Sequence, residues 1–255
     1  MKRVLTSLIL IPLVLYIVLW GKVWLLFATV TVCAMLCYRE YCGIAEEYGI
    51  ASLGPTGYAA GFAVLALTEG ETIFLTVLAL VGLSLATRSA ELSETLPRAS
   101  VMLFGVVYIF GSWKFAILLR DVSPYWLLFA LAVNWVGDIS AYYVGKNIGM
   151  HKLARRVSPG KSWEGSAASI AASVAFGVLY VHRFAPAMPM PWAAGIAAIA
   201  NVAGQLGDLA ESALKRGAGV KDSGTLLPGH GGLLDRVDST LFTLPVVYLL
   251  LRVVK

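Results

Sequence analysis

The sequence has 255 residues, of which 58% are hydrophobic and only 14% are charged, and its mean hydropathy is +0.77. This composition is far more apolar than that of an average soluble domain, so it excludes a water-soluble globular protein and predicts an integral membrane protein. The formal net charge is +5, but no RNA- or DNA-binding motif accompanies it, so nucleic acid is not indicated as a partner.

Apolar runs separated by short polar breaks follow one another along the chain. A helix needs about 20 apolar residues to cross the hydrocarbon core of a bilayer, and these runs are close to that length. We therefore predict an all-α, polytopic integral membrane protein with about nine transmembrane helices. The predicted spans are residues 4–20, 22–38, 50–68, 72–87, 100–119, 124–145, 165–182, 191–212 and 238–254.

The first span and the connections decide the domain organisation. No small-residue cleavage site follows the first span, so we expect a retained helix rather than a signal peptide. Residues 1–120 contain about five spans, and residues 121–255 contain the others with two long polar loops. The remaining connections leave no room for a separate soluble domain, and we expect a single integrated membrane domain.

The distribution of lysine and arginine predicts the orientation, because basic loops stay on the cytoplasmic side of a membrane. With nine spans and the N-terminus inside, fourteen basic residues lie inside and five outside. The two long polar loops, residues 146–164 and 213–237, then face the cytoplasm. The resulting basic face suits anionic lipid headgroups or a phosphorylated substrate, although the topology rule alone accounts for many of these charges.

Acidic residues within or beside predicted spans are costly in lipid, so they are candidates for function. Asp138, Asp208, Asp235 and Asp238 are predicted at a similar depth on the cytoplasmic side. On a helix, Asp235 and Asp238 share a face, as do Asp208 and Ser212. Helix capping explains one such aspartate, but a cation between like charges explains the group better, and hard carboxylates near phosphate suit Mg²⁺.

The stretch KDSGTLLPGHGGLLDRVDS, residues 221–239, interrupts the apolar pattern with charges and glycines. Pro228, Gly229, Gly231 and Gly232 precede a helix start, where backbone N–H groups can converge on an anion. We expect this loop to cradle a polyphosphate, with charge supplied by Lys215, Arg216 and Lys221. His230 is a candidate phosphate ligand or proton shuttle, although a loop histidine is as often an ordinary hydrogen-bonding residue.

The other polar loop contains KLARRVSPGKSWEG, residues 152–165. Ser158 and Lys161 are candidate phosphate ligands, because Lys161 comes just before a helix start. Ser162 is predicted as the N-cap of that helix, with Glu164 in its first turn.

These two segments resemble sequence blocks of a known protein family. The run SALKR at residues 212–216, then Lys221-Asp222 and GTLLPGHGGLLDRVD, resembles the signature of the phosphatidate cytidylyltransferases, also called CDP-diacylglycerol synthases. The block GDISAYYVGKNIGMHKLARRVSPGKSWEG, residues 137–165, is similar to the second block of that family. It departs at Ile139 and Ser140, where Thr and Gly are common, and at Gly160 and Ser162, where Lys and Thr are common.

The resemblance implies an activity, a location and a cofactor. The enzyme would transfer CMP from CTP to phosphatidate, giving CDP-diacylglycerol and pyrophosphate in phospholipid biosynthesis. It would lie in the inner, cytoplasmic membrane with its site facing the cytoplasm. Mg²⁺ would be required, with K⁺ as a candidate second cation, and a homodimer is a family-based expectation.

The resemblance also assigns roles to residues. Asp208, Asp235 and Asp238 would be the metal ligands, and Lys221 and Asp222 would complete the catalytic set. The substrate-binding set would be Ser158, Lys161, Ser212, Lys215, Arg216, His230, Gly231, Gly232, Arg236 and Asp138. A general base is not needed, since a phosphate monoester is already anionic at neutral pH.

Two other classes of protein use acidic residues in membranes. A CTP-dependent lipid-alcohol kinase or a CDP-alcohol phosphotransferase would use similar chemistry, but the latter needs four acidic residues in a longer helical pattern. A transporter would place charges near the middle of spans in two related halves. Here the acids gather near one face in the C-terminal half, which favours the cytidylyltransferase interpretation.

Overall fold

The computed structural model describes residues 2–68, 70–88, 91–226, 229 and 231–254, with side chains from residue 11 onward except at residues 71 and 72. Most of these residues are helical. The α-helices are α1 (Lys2–Leu19), α2 (Val23–Glu47), α3 (Gly54–Ala66), α4 (Glu71–Ala86), α5 (Thr95–Gly105), α6 (Ser112–Val122), α7 (Pro124–Ile148), α8 (Trp163–Phe184), α9 (Met190–Gly217) and α10 (Leu234–Val254). A single π-helical turn, Val106–Gly111, joins α5 to α6.

The predicted all-α, polytopic membrane fold is confirmed. Among the described residues, six helical segments are long and apolar enough to cross a membrane: Val23–Glu47, Leu92–Val122, Pro124–Ile148, Trp163–Phe184, Met190–Gly217 and Leu234–Val254. Helices α3 and α4 are shorter, with 13 and 16 residues. The count of about nine spans therefore stays a prediction.

Two helices extend about five or more residues past the ends of their predicted spans. Helix α2 continues through residues 39–47, and α9 continues through residues 213–217, both of which the sequence predicted as polar connections. Each helix is followed by a glycine in the left-handed region, Gly49 with φ of 77° and Gly219 with φ of 76°. Glycine adopts this conformation without steric cost and so ends a helix cleanly. The charged residues of both segments are consequently held on rigid helices.

The loop predicted at residues 146–164 is partly ordered as a β-hairpin. Strand β1 (Lys152–Ala154) pairs antiparallel with β2 (Ser158–Ser162), with Lys152 opposite Ser162. β2 leads directly into α8. The hairpin corrects the prediction of an irregular loop, and its two strands fix the backbone on which Ser158 and Lys161 lie.

The chain forms two compact units. Unit 1 comprises Met1–Ile11, Lys22–Ile117 and Leu214–Arg236, and unit 2 comprises Pro12–Gly21, Leu118–Ala213 and Val237–Lys255. The division falls inside α9 and again inside α10, so each of these helices contributes residues to both units.

The core of unit 1 is an aromatic cluster packed against glycines. Tyr38 and Phe110 are fully buried, with ring centroids 5.5 Å apart. A side chain at Gly57 or Gly105 would collide with Tyr38, and one at Gly61 would collide with Phe110. Small residues at these positions let the helices approach closely enough to enclose the rings.

The core of unit 2 contains a buried polar ladder. The Asn201 amide donates to the hydroxyls of Ser169 and Ser173, each at 3.0 Å, and the Gln205 amide donates to the Asn201 carbonyl oxygen at 2.7 Å. Gly137 faces this ladder, and a side chain there would collide with Asn201. In lipid such polar contacts hold helices together, because the alternative is an unsatisfied polar group in hydrocarbon.

A second buried contact in unit 2 makes a testable contribution to stability. The Thr243 hydroxyl accepts from the Asn134 amide at 3.0 Å and lies 3.2 Å from the Ala200 carbonyl oxygen. We expect Thr243→Val to lower the free energy of unfolding in detergent by about 0.6–1.7 kcal/mol, the range for interhelical hydrogen bonds in membranes. Thr29→Val is the matched control, because the Thr29 hydroxyl donates to the Leu25 carbonyl of its own helix and, among the described residues, to no other helix. Equal stability losses in both variants would contradict the interhelical role.

Candidate functional site

Unit 2 contains a cavity of about 690 Å³ bounded by α7, the hairpin, α8 and α9. Its charged and hydroxyl-bearing lining includes Asp138, Lys146, Lys152, Ser158, Lys161 and Asp208. Three lysines against two aspartates give these residues a net positive charge, which favours an anionic ligand such as a phosphate group. Four predicted site residues, Asp138, Ser158, Lys161 and Asp208, are therefore brought together in this cavity.

The Lys161–Asp208 ion pair is the central contact of this cavity. The Lys161 ammonium lies 2.6 Å from one Asp208 oxygen, and the Ser212 hydroxyl donates to the other at 3.3 Å. Asp208 and Ser212 are one turn apart on α9, as their spacing predicts. Both partners of the ion pair remain partly exposed, so a phosphate can reach Lys161 without dismantling a buried contact.

The start of α8 fixes the hairpin that presents Lys161. The Ser162 hydroxyl accepts from the Gly165 N–H at 3.2 Å, which confirms Ser162 as the N-cap. Glu164 accepts from the His151 backbone N–H and lies 2.6 Å from the His151 ring nitrogen Nδ1. Because these contacts hold both ends of the hairpin to one helix, Lys161 is anchored on a short, braced segment.

Sequence reasoning missed several residues of this cavity. Lys146 and Lys152 were counted as inner-face charges without a site role, and Ser166, Ser169 and Gln205 were read as parts of apolar spans. Their spacing carried a signal, since Ser166 and Ser169 lie three residues apart on one face of α8.

Unit 1 contains a second group of polar residues, around the connection from α9 to α10, which we call the loop cluster: Glu40, Lys215, Ser223, Gly232 and Asp235. Asp235 forms an ion pair with Lys215. It also accepts from the backbone N–H of Ser223 at 3.0 Å and of Gly232 at 2.8 Å. A carboxylate with this many donors is held in one orientation.

Glu40 is the member of the loop cluster that sequence reasoning did not find. It is buried on α2, and its carboxylate accepts from the N–H groups of Leu233 and Leu234 at 2.9 and 2.7 Å. It also accepts from the Ser223 hydroxyl at 3.0 Å. The start of α10 is therefore capped by a side chain from a distant part of the sequence.

Glycines are required where the loop meets these carboxylates. Gly231 has φ of 79°, and a side chain there would meet the Asp235 carboxylate. A side chain at Gly224 or Gly232 would meet Glu40. The sequence predicted positive φ in this loop, and Gly229 and Gly231 confirm it.

The N–H groups at the start of α10 have different partners from those expected. The predicted anion cradle would leave them for a polyphosphate, but those of Gly232, Leu233 and Leu234 donate to Asp235 and Glu40. These carboxylates take the place that an anion would occupy at a helix N-terminus. Phosphate contacts by this loop would therefore fall to its basic side chains.

The other predicted residues are exposed, lie on α10 in unit 2, or fall outside the described residues. The exposed ones are Arg216, Lys221, Asp222 and Arg236. Asp238 is half-buried on α10 in unit 2, where its carboxylate accepts from the Ser239 N–H at 2.6 Å. Pro228 and His230 lie outside the described residues.

The three predicted metal ligands are divided between the two units. Within the described ranges, no group of three or more His, Cys, Asp or Glu side chains is arranged to hold a metal ion. Asp208 and Asp238 belong to unit 2, and Asp235 belongs to unit 1. Unit 2 does place two carboxylates, Asp138 from α7 and Asp208 from α9, in the lining of one cavity. Mg²⁺ is commonly held by one or two carboxylates together with substrate phosphates, so this pair fits such an ion.

The fold and the cavity together define a polytopic helical membrane protein. Its polar site is a cavity lined by both basic and acidic side chains. The chain belongs to the cytidylyltransferase family, whose model matches residues 1–254.

Three curated relatives are named phosphatidate cytidylyltransferase. The chain is 39% identical to the protein of Bacillus subtilis (strain 168) over 162 residues, covering 62% of this chain and 60% of the relative. It is 45% identical to that of Brucella abortus biovar 1 (strain 9-941) over 136 residues, covering 52% and 50%. It is 41% identical to that of Staphylococcus aureus (strain COL) over 155 residues, covering 60% and 59%. The chain thus matches between 50% and 60% of the relatives' length.

Proposed function

We propose that this protein is a phosphatidate cytidylyltransferase, which transfers CMP from CTP to phosphatidate and releases pyrophosphate. The family membership and the names of the relatives support this activity. The observation that carries the proposal is the cavity in which Lys161 and two further lysines surround Asp138 and Asp208. We place this site at the cytoplasmic face of the inner membrane, where a soluble triphosphate and a lipid phosphate can meet.

The reaction is a substitution at phosphorus. A phosphate oxygen of phosphatidate attacks the α-phosphorus of CTP and forms a new P–O bond, while the bond to the bridging oxygen of the β-phosphate breaks. Pyrophosphate leaves with the bonding electrons. Catalysis of this kind depends mainly on positioning and charge neutralisation, which the lysines of the cavity supply.

Lys161 has two anionic partners available during such a reaction. It pairs with Asp208, and a bound phosphate would compete for the same ammonium group. Ser212 continues to hold Asp208 from the other side at 3.3 Å. The hairpin therefore delivers a positive charge to the phosphate, while Asp208 becomes available to a cation.

Mg²⁺ would be held by Asp208 and Asp138 together with substrate phosphates, and it would supply additional neutralisation of charge on the transferring group. The fit rests on hard carboxylate oxygens facing one cavity. Asp235 belongs to the loop cluster, where its ion pair with Lys215 fixes a basic side chain at the end of α9.

The test is product formation by the purified protein in detergent. With CTP, phosphatidate and Mg²⁺, we expect CDP-diacylglycerol and pyrophosphate in equal amounts, and a chelator in excess of the metal should abolish both products. Restoring Mg²⁺ should restore the rate, which controls for loss of folded protein. A folded chain that stays inert with CTP and several phospholipid acceptors would overturn the proposal, and transport would then be tested.

A further inference from the structure

We propose that Glu40 is a positioning residue for the transfer reaction, acting from α2 on the loop cluster and, through Ser223, on Asp235. The kinetic test of this inference rests on the proposed function, whereas its structural test depends on hydrogen bonding alone. It gives a specific task to the amino-terminal helices, for which the sequence indicated no role in the chemistry.

Glu40 caps the start of α10, a task that a residue next to the helix in sequence ordinarily performs. Helix N-termini are ordinarily capped by a Ser, Thr, Asp or Asn side chain just before the first turn. The residue immediately before α10 is Leu233, which has no side-chain acceptor. The two N–H groups are instead satisfied by Glu40, 193 and 194 positions away. Burying a carboxylate costs free energy unless hydrogen bonds satisfy it, and here the donors are Leu233, Leu234 and Ser223.

Ser223 connects Glu40 to Asp235. Its hydroxyl donates to Glu40 at 3.0 Å, and its backbone N–H donates to both Asp235 oxygens at 3.1 and 3.0 Å. On the other side of the loop, Gly232 donates to Asp235, and the next residue, Leu233, donates to Glu40. The same two backbone segments are thus held by both carboxylates, so a shift of Glu40 must also displace the donors of Asp235.

The glycines make this arrangement intolerant of substitution. A side chain at Gly224 or Gly232 would collide with the Glu40 carboxylate. The loop backbone therefore packs closely against the Glu40 carboxylate and, at Gly232, against the Ser223 hydroxyl as well.

The experiment compares wild type with Glu40→Gln, Ser223→Ala and the control Glu47→Gln, an exposed glutamate on the same helix. The carboxamide keeps one acceptor oxygen but turns an NH₂ group toward the amide donors. We expect kcat to fall about tenfold in Glu40→Gln with the KM for CTP within about twofold. Ser223→Ala should show a smaller fall in kcat, and Glu47→Gln should match wild type.

A second readout does not depend on activity. Hydrogen exchange at the amides of residues 232–234 should accelerate at least about tenfold in Glu40→Gln and stay unchanged in Glu47→Gln. Faster exchange with an unaltered kcat per folded molecule would show a structural role only and overturn the proposal, as would unchanged exchange. If wild type itself formed no CDP-diacylglycerol, the proposed function would fail, whereas the exchange result would still decide whether Glu40 holds the loop.

Discussion

Replacing Asp235 by asparagine should reduce the rate of CDP-diacylglycerol formation by at least about 100-fold. The Asp235 side chain is only 6% exposed, and it pairs with Lys215 while accepting two backbone N–H groups. Removing one partner of a buried charge pair costs about 3–5 kcal/mol. A tenfold change in rate corresponds to about 1.4 kcal/mol of activation free energy. The expected loss of activity therefore follows if part of the cost of breaking the charge pair raises the activation free energy.

The measurement is kcat/KM for the purified variant, normalised to folded protein by thermal unfolding. Asp121→Asn is the matched control, because Asp121 is an exposed aspartate near the end of α6. Asp235→Glu keeps the charge but lengthens the side chain, and we expect it to recover only part of the activity. If Asp235→Asn formed product at the wild-type rate, the loop cluster would have no part in the proposed reaction.

Breaking the Lys161–Asp208 pair should impair activity much more than stability. The two side chains are 26% and 33% exposed, and ion pairs with this much solvent access contribute only about 0–1 kcal/mol to stability. If the pair exists to present Lys161 to phosphate and Asp208 to a cation, Lys161→Gln and Asp208→Asn should each lower kcat/KM by about 10- to 100-fold. Their unfolding midpoints should stay near that of wild type.

A charge swap separates the two roles of this pair. The double variant Lys161→Asp with Asp208→Lys restores an ion pair with reversed polarity. A structural pair would recover its function, since attraction between the partners is unchanged. We expect no recovery, because the hairpin would then present a carboxylate to an anionic substrate. Recovery of wild-type kcat/KM by the swap would contradict the phosphate-binding role of Lys161.

Most of the fold follows from hydrophobic patterning. Each predicted span corresponds to a helix, because a bilayer leaves a spanning backbone few alternatives to helical hydrogen bonding. The helix ends were less predictable. Residues 39–47 look like a polar break, yet they complete α2, and the glycine that ends this helix, Gly49, was the available signal.

The cavity was only partly predictable from local motifs. Lys161 and Ser162 come just before a helix, and this placement made the N-cap foreseeable, while the phosphate role of Lys161 stays a prediction. Lys146 and Lys152 lie within the block of residues 137–165, but nothing local gave them a role, and their position in the cavity lining depends on how α7 and the hairpin pack together in unit 2. The hairpin itself was missed because its strands have only three and five residues, too short for an alternating pattern to stand out.

Glu40 was unpredictable for a different reason. Its partners Ser223, Leu233 and Leu234 follow it by 183 to 194 positions, and no periodicity in a single sequence encodes a contact of that range. Residues 39–47 contain other charged residues beside Glu40, so the sequence predicted that Glu40 belongs to a solvated connection. Only the fold of unit 1 shows that Glu40 is buried and that it faces the start of α10.

The long separation between Glu40 and the loop also bears on biosynthesis. At translation rates of about 5–20 residues per second, on the order of 10–40 s pass between synthesis of Glu40 and of Leu234. During that interval α2 is already complete, but its carboxylate lacks the amides that will satisfy it. Chains that stop before Leu233 would lack the backbone donors that satisfy this acidic group, so the buried environment of Glu40 can be completed only late in synthesis.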